Sequence, residues 1–199
     1  ISKGALEKGA VRPKEVPDQR VKTVGVLGSG MMGAGIALVA AQAGVEVVLV
    51  DQNQDVADKG KAYSEKYLNA GIKRGKVSDK NKIETLHRIL ATDDYTKLSA
   101  ADLIIEAVFE DTQVKSDVTK AVLEIVPEDC IFASNTSTLP ITELAKASKY
   151  PENYIGIHFF SPVEKMLLVE IIKGEKTDNR AVAKALDFVR QIKKTPIVV

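Results

Sequence analysis

The chain has few of the residues that build metal clusters and disulfide scaffolds. Its 199 residues include one cysteine, Cys130, two histidines, His87 and His158, and no tryptophan. A single cysteine excludes a disulfide framework and a cysteine metal cluster, and two histidines argue against a histidine-based metal site. A reducing compartment suits such a chain. Neither sign of charge is in excess: 28 Lys and Arg against 27 Asp and Glu leave +1. No general attraction to nucleic acid or to an anionic membrane follows from that balance. No apolar run is long enough to span a bilayer, and no secretory-signal pattern is seen. What remains is an ordinary globular composition, 45% hydrophobic, enough for one core and a small appendage.

The most informative stretch is KTVGVLGSGMMGAGIALVAAQAGVEVVLVDQN, from Lys22 to Asn53. VKTVGVL (Val21 to Leu27) is short, apolar and rich in β-branched residues, as a buried parallel strand is. MMGAGIALVAAQAG lacks proline and ends in Gly44, where a helix would stop. VEVVLV (Val45 to Val50) reads as a second strand, followed by Asp51. The order strand, glycine turn, helix, strand, acid is that of a dinucleotide-binding βαβ unit. Gly28 would make the tight turn, Gly30 would admit a pyrophosphate, and Gly33 would let the helix pack on the sheet. The expected cofactor contacts are Gly28, Ser29, Gly30, Met31, Met32 and Gly33, at the positive end of a helix, together with Asp51 and Gln52. An acid at Asp51 would accept from the ribose hydroxyls and repel a 2′-phosphate. With no arginine close behind it, NAD is favoured over NADP. FAD, or a structural turn without ligand, are the alternatives on this stretch alone.

Strands and helices alternate through the rest. Between Gln52 and His87 lies a charged helical hairpin, with Val56, Tyr63, Tyr67 and Ile72 expected on one face and Ser78 capping its second helix through Ile83 and Leu86. Strands are expected at 88–92, 101–109, 130–134, in NYIGIHFF and in MLLVEII. One helix should bury Val114, Val118, Val122 and Ile125, a short one should carry Pro140 in its first turn, and a last one spans NRAVAKALDFVRQIKK. The fold class is α/β: a Rossmann-type doubly wound, mostly parallel sheet with an inserted helical hairpin and an antiparallel strand pair near the C-terminal end. Residues 1–20, charged and carrying Pro13 and Pro17, read as a linker or tail, and 21–199 as the nucleotide-binding domain. The start at Ile1 and the stop within a strand-like KKTPIVV read as a piece of a larger protein.

Ligands of such sheets sit beyond the C-terminal strand ends. Those ends read GSGMMG, Asp51, FEDTQVK, SNTST and HFFSP. Glu110 and Lys115 follow one strand, as a helix start also would. Asn135 and Ser137 follow the next, where a capping turn and a binding role can both hold. His158 and Glu170 lie on strands joined by SPVEK, equidistant from position 164. A hairpin folded there sets them opposite each other on one face. A carboxylate behind an imidazole fixes its tautomer and raises its basicity, which beside an NAD site suggests a base that takes a hydroxyl proton.

GVLGSGMMGAGIA, IIEAVFED, FASNTSTLPITELA, IGIHFFSPVEKMLLVEIIKGEKT and KTPIVV together resemble the NAD-binding domain of L-3-hydroxyacyl-CoA dehydrogenases. They look most like the form found in multifunctional fatty-acid oxidation α subunits. The resemblance covers about Val21 to Val199. It implies His158 as catalytic base, Glu170 as its partner, Ser137 as donor to the substrate's 3-oxygen and Asp51 as the ribose acid. It implies Glu110, Lys115 and Asn135 on the nicotinamide side, and Ser161 at a position where single-function enzymes carry asparagine. The helical hairpin would cover the CoA of an acyl-CoA substrate. Lys73, Arg74 and Lys76 could meet its phosphates or simply be a solvated face. The resemblance further implies a hydratase domain in the same chain, a thiolase partner subunit, and a C-terminal helical domain beyond these residues. The compartment would be cytoplasmic in a bacterium, mitochondrial matrix or peroxisome in a eukaryote. A 3-hydroxybutyryl-CoA dehydrogenase, or a non-catalytic NAD-binding or structural relative, are the competing readings.

Overall fold

The computed structural model describes residues 12–199. Eight strands form one sheet in the order β3-β2-β1-β4-β5-β6-β7-β8. They are β1 (Thr23–Leu27), β2 (Glu46–Val50), β3 (Ile89–Thr92), β4 (Leu103–Glu106), β5 (Ile131–Ser134), β6 (Tyr154–Phe159), β7 (Leu168–Lys173) and β8 (Thr195–Val198). The first six run parallel; β7 pairs antiparallel with β6, and β8 parallel with β7. The doubly wound sheet and its antiparallel pair are as expected. The chain order reverses between β1 and β4, and this is where such sheets bind ligands.

Alternation along the strands sorts their side chains onto two faces. Val24 and Val26 of β1, Leu103 and Ile105 of β4, and Ile155, Ile157 and Phe159 of β6 join one core. Helices α1 (Met31–Gln42) and α6 (Asn179–Gln191) close that core with Ile36, Ala37, Ala40, Leu186, Phe188 and Val189. The other face carries Leu27, Ile104, Phe132 and Tyr154, covered by α4 (Thr112–Leu123) and the short α5 (Ile141–Leu144). By this parity Glu106, Ser134, His158 and Glu170 all belong to the second face.

The helical hairpin is α2 (Gln54–Lys73) and α3 (Asp79–His87), inserted between β2 and β3. Ser78 caps α3 by accepting from the Asn81 N–H. The buried line of α2 is Ala57, Gly60, Ser64, Leu68 and Gly71, not the expected Val56, Tyr63, Tyr67 and Ile72. Small residues win because the helix lies almost against the backbone: a Cβ on Gly60 would meet Ser29 Cβ at 2.6 Å. Ile83 is likewise exposed and Thr85 buried in α3. In α4 the buried residues are Lys115, Thr119, Val122 and Leu123, while Val114 is exposed. Val118, Val122 and Ile125 pack in the second core as expected, and the buried polar Lys115 and Thr119 join them on that side of the helix. β4 is shorter than 101–109 and ends at Glu106, and Pro140 is the N-cap of α5 instead of lying within its first turn.

Two further side chains hold the β6–β7 connection. Lys194, buried, donates to the carbonyls of Val163 (2.6 Å) and Met166 (2.5 Å). Tyr63 on α2 donates to Glu164 Oε1 at 2.5 Å; burial and this bond push its phenol up to about 12. Residues 12–20 of the stretch read as a linker lie against α6, and the Arg12 guanidinium forks onto Asp187 at 2.8 and 2.9 Å. Residues 1–11 lie outside the described residues.

Candidate active site

The glycine loop has three separate jobs, and each is visible as a contact or its absence. Gly28 has φ +89°, and a Cβ there would sit 2.6 Å from the Ala107 carbonyl at the end of β4. A Cβ on Gly33 would lie 1.7 Å from the Gly28 carbonyl, so only glycine lets α1 start so close to the turn. A Cβ on Gly30 would meet nothing within 4 Å. That open space lies at the start of α1, whose N-cap Gly30 offers no side-chain cap, and the first intrahelical bond is from Ala34 to Gly30. The N–H groups of Met31, Met32 and Gly33 are therefore available to an anion, in the positive field of the helix end.

Asp51 ends β2 beside this loop. Its Oδ2 accepts from the Ser29 N–H and Oγ–H, both at 2.7 Å, and its Oδ1 from the Gln52 N–H at 2.7 Å. Ser29 thus orients Asp51, and its hydroxyl oxygen also lies 3.0 Å from the Val56 carbonyl oxygen. Each oxygen of an ionised carboxylate keeps accepting capacity beyond these bonds. A pyrophosphate at Gly30 and a ribose at Asp51 fit the residues present.

A cavity of about 340 Å³ continues the cleft along the C-terminal strand ends. It brings together Met32, Glu110, Lys115, Asn135, Ser137, His158 and Ser161. His158 and Glu170 are direct partners across β6 and β7, and Nδ1 of the imidazole lies 2.9 Å from Glu170 Oε1. Phe160 packs against the ring, with centroids 4.6 Å apart. Nδ1 is held by the carboxylate, which leaves Nε2 for a ligand. Asn135 Oδ1 accepts from the Phe159 N–H at 2.8 Å and so ties the end of β5 to the histidine strand. Ser161 precedes a cis proline and donates to Met31 Sδ at 3.3 Å across the cleft mouth.

Glu110 is the centre of a polar network. It accepts from Thr136 Oγ at 2.7 Å, and from the Ser137 N–H and Oγ–H at 3.1 and 3.3 Å. Burial opposes its ionisation, but these bonds and the nearby Lys115 outweigh it and hold the carboxyl below its usual range. Ser137 therefore faces Glu110 here, not His158. Lys115 is almost fully buried and donates to Glu106 Oε2 at 2.5 Å, with Glu110 at 3.6 Å. Glu106 was missed from sequence. In the sequence it falls inside the apolar run 101–109; in the structure it ends β4 and pairs with Ser134 in the register. Ser134 donates to Glu106 Oε1 at 2.7 Å. Lys73 and Arg74 lie exposed at the far end of α2 and do not line this cavity. Among the described residues no group of acids, histidines and cysteine could hold a metal ion.

A doubly wound sheet with a glycine turn at its switch point makes this a dinucleotide-binding domain of the Rossmann type. The comparisons make this particular. Residues 23–199 match the model of the 3-hydroxyacyl-CoA dehydrogenase NAD-binding domain. The fatty acid oxidation complex subunit alpha of Idiomarina loihiensis is 44% identical over 181 residues, 91% of this chain and 25% of that protein. An (S)-3-hydroxybutyryl-CoA dehydrogenase from Ralstonia eutropha superposes with a TM-score of 0.85 at 40% identity, covering 90% of this chain and 64% of that one. The dehydrogenase part of multifunctional enzyme 1 from C. elegans gives 0.83 at 31% identity, covering 99% and 48%. The chain belongs to the 3-hydroxyacyl-CoA dehydrogenase NAD-binding domain family, and NAD is its cofactor. It spans about a quarter of the length of the curated relatives it matches. No helix among the described residues is long and apolar enough to cross a membrane.

Proposed function

We propose that this domain serves the NAD-dependent oxidation of an (S)-3-hydroxyacyl-CoA to the 3-oxoacyl-CoA in fatty-acid β-oxidation. The observation that carries the reading is His158, which lines the cavity that reaches Met32 in the first turn of α1 and is held 2.9 Å from Glu170 behind it. The first turn of α1 would hold the pyrophosphate, Asp51 the adenosine ribose, and Glu110, Lys115, Asn135 and Ser161 the nicotinamide half. NAD supplies the acceptor for the hydride that leaves the 3-carbon. His158 Nε2 takes the proton of the 3-hydroxyl, and Glu170 stabilises the imidazolium that results. Ser137, released from Glu110, donates to the 3-oxygen and fixes the substrate over the base.

The relatives' length supports a larger multifunctional chain. In this reading residues 1–20 lead from a hydratase part, and a helical dehydrogenase domain follows residue 199. A thiolase is the partner subunit, and the surroundings are a cytoplasm, mitochondrial matrix or peroxisome. Lys73 and Arg74 are the candidates to meet CoA phosphates. The Ralstonia neighbour favours a second reading with the same chemistry, a short-chain 3-hydroxybutyryl-CoA substrate. NADH formation by the longer protein, across acyl-CoAs of increasing length, tests both. Turnover confined to the four-carbon substrate selects the second, and none with any acyl-CoA refutes both.

A further inference from the structure

We propose that Glu106, buried behind the cavity, sets the preference of this site for oxidised over reduced cofactor, through the net charge it gives the Glu106–Lys115–Glu110 trio. Glu106 is fully buried and accepts from the Lys115 ammonium, the Ser134 hydroxyl and the Val108 N–H. Every partner is a donor, as an ionised carboxylate requires. Lys115 is also buried, and only Glu110 of the three reaches solvent. Two carboxylates and one ammonium leave one negative charge beside the cavity that Glu110 and Lys115 line. A buried ion pair is a poor source of stability, because desolvation offsets the attraction. Its electrostatic consequence is larger: without Glu106 the Lys115 charge would cancel that of Glu110. The oxidised nicotinamide ring is a cation and the reduced ring is neutral, so the remaining negative charge favours the oxidised form.

Glu106→Gln tests this with little change of shape. The amide oxygen can accept from Lys115 and Val108 where Oε2 does now, and the amide nitrogen can donate to Ser134, whose hydroxyl can turn to accept. NAD+ and NADH affinities are measured by calorimetry on the chain. Removing one unit charge beside a partly buried cavity should weaken NAD+ relative to NADH by roughly five- to twentyfold. In Glu106→Gln/Lys115→Met the net charge returns to that of the wild type, so the affinity ratio should return with it. A lesion that was only structural would depress both affinities together and would deepen in the double variant. If both forms bind and the ratio stays put in Glu106→Gln, the role of Glu106 is refuted. Should the single variant not fold, a wild-type ratio in the double variant supports the proposal and a shifted one overturns it. The inference rests on the cavity taking the nicotinamide end; if the wild type binds neither form, that reading fails first.

Discussion

Asp51 accepts from Ser29 and Gln52 at the end of β2, and so presents a carboxylate where the adenosine ribose would lie. The two cofactors differ there by a phosphate, which this carboxylate repels. NAD should therefore bind the chain more tightly than NADP, and Asp51→Ala should narrow the gap mainly by weakening NAD. Equal affinities of the wild type for both, by calorimetry, would take Asp51 out of its role. Asp51 was legible because its place is local: one strand, one helix and one strand settle it. His158 and Glu170 were legible for a similar reason, since a short hairpin makes their register a matter of counting. Glu106 was not. An acid inside an apolar run has no visible partner until α4 is known to lay Lys115 over it. Ser137 was named from the sequence, but its grip on Glu110 depends on a loop conformation that no periodicity encodes.

At the scale of an element, the glycine loop makes two opposite predictions from neighbouring positions. Gly33→Ala drives a methyl into the Gly28 carbonyl and should cost about 3 kcal/mol or more of stability, or prevent folding. Gly30→Ala points a methyl into open space at ordinary φ. It should change stability by less than about 1 kcal/mol, the scale of a cap substitution. NAD affinity should nonetheless fall by roughly tenfold or more, about 1.4 kcal/mol, because the methyl occupies the pyrophosphate's place. Thermal melts and NAD titrations of the two variants decide it. A Gly30→Ala protein that binds NAD like the wild type would move the pyrophosphate elsewhere. Helix faces were the least legible elements. The α2 stripe was assigned to larger apolar residues than the buried Ala57, Gly60 and Ser64, and the α4 stripe, right for Val118, Val122 and Ile125, passed over Lys115 and Thr119. Close backbone approach and buried ion pairs both favour residues that a hydrophobic pattern passes over.

For the whole molecule, the candidate cavity has a rim that this chain leaves in water: Ser137 and Ser161, which line it, are exposed, as is Met31, whose sulfur meets Ser161. Hydride and proton transfer need a site from which water is excluded. The chain alone should bind NAD yet turn over acetoacetyl-CoA and NADH far more slowly than the longer protein. A rate within about tenfold would mean that whatever closes the rim supplies under about 1.4 kcal/mol of transition-state stabilisation. The central claim is that His158 and Glu170 work as one base. It is tested most directly by kcat of the longer protein carrying His158→Gln, Glu170→Gln and both. Each single change should lower kcat on the order of a hundredfold or more, with NAD affinity nearly unchanged. The double variant should be little worse than the worse single one. Losses that multiply, or a His158→Gln enzyme that keeps most of its rate, would contradict the account.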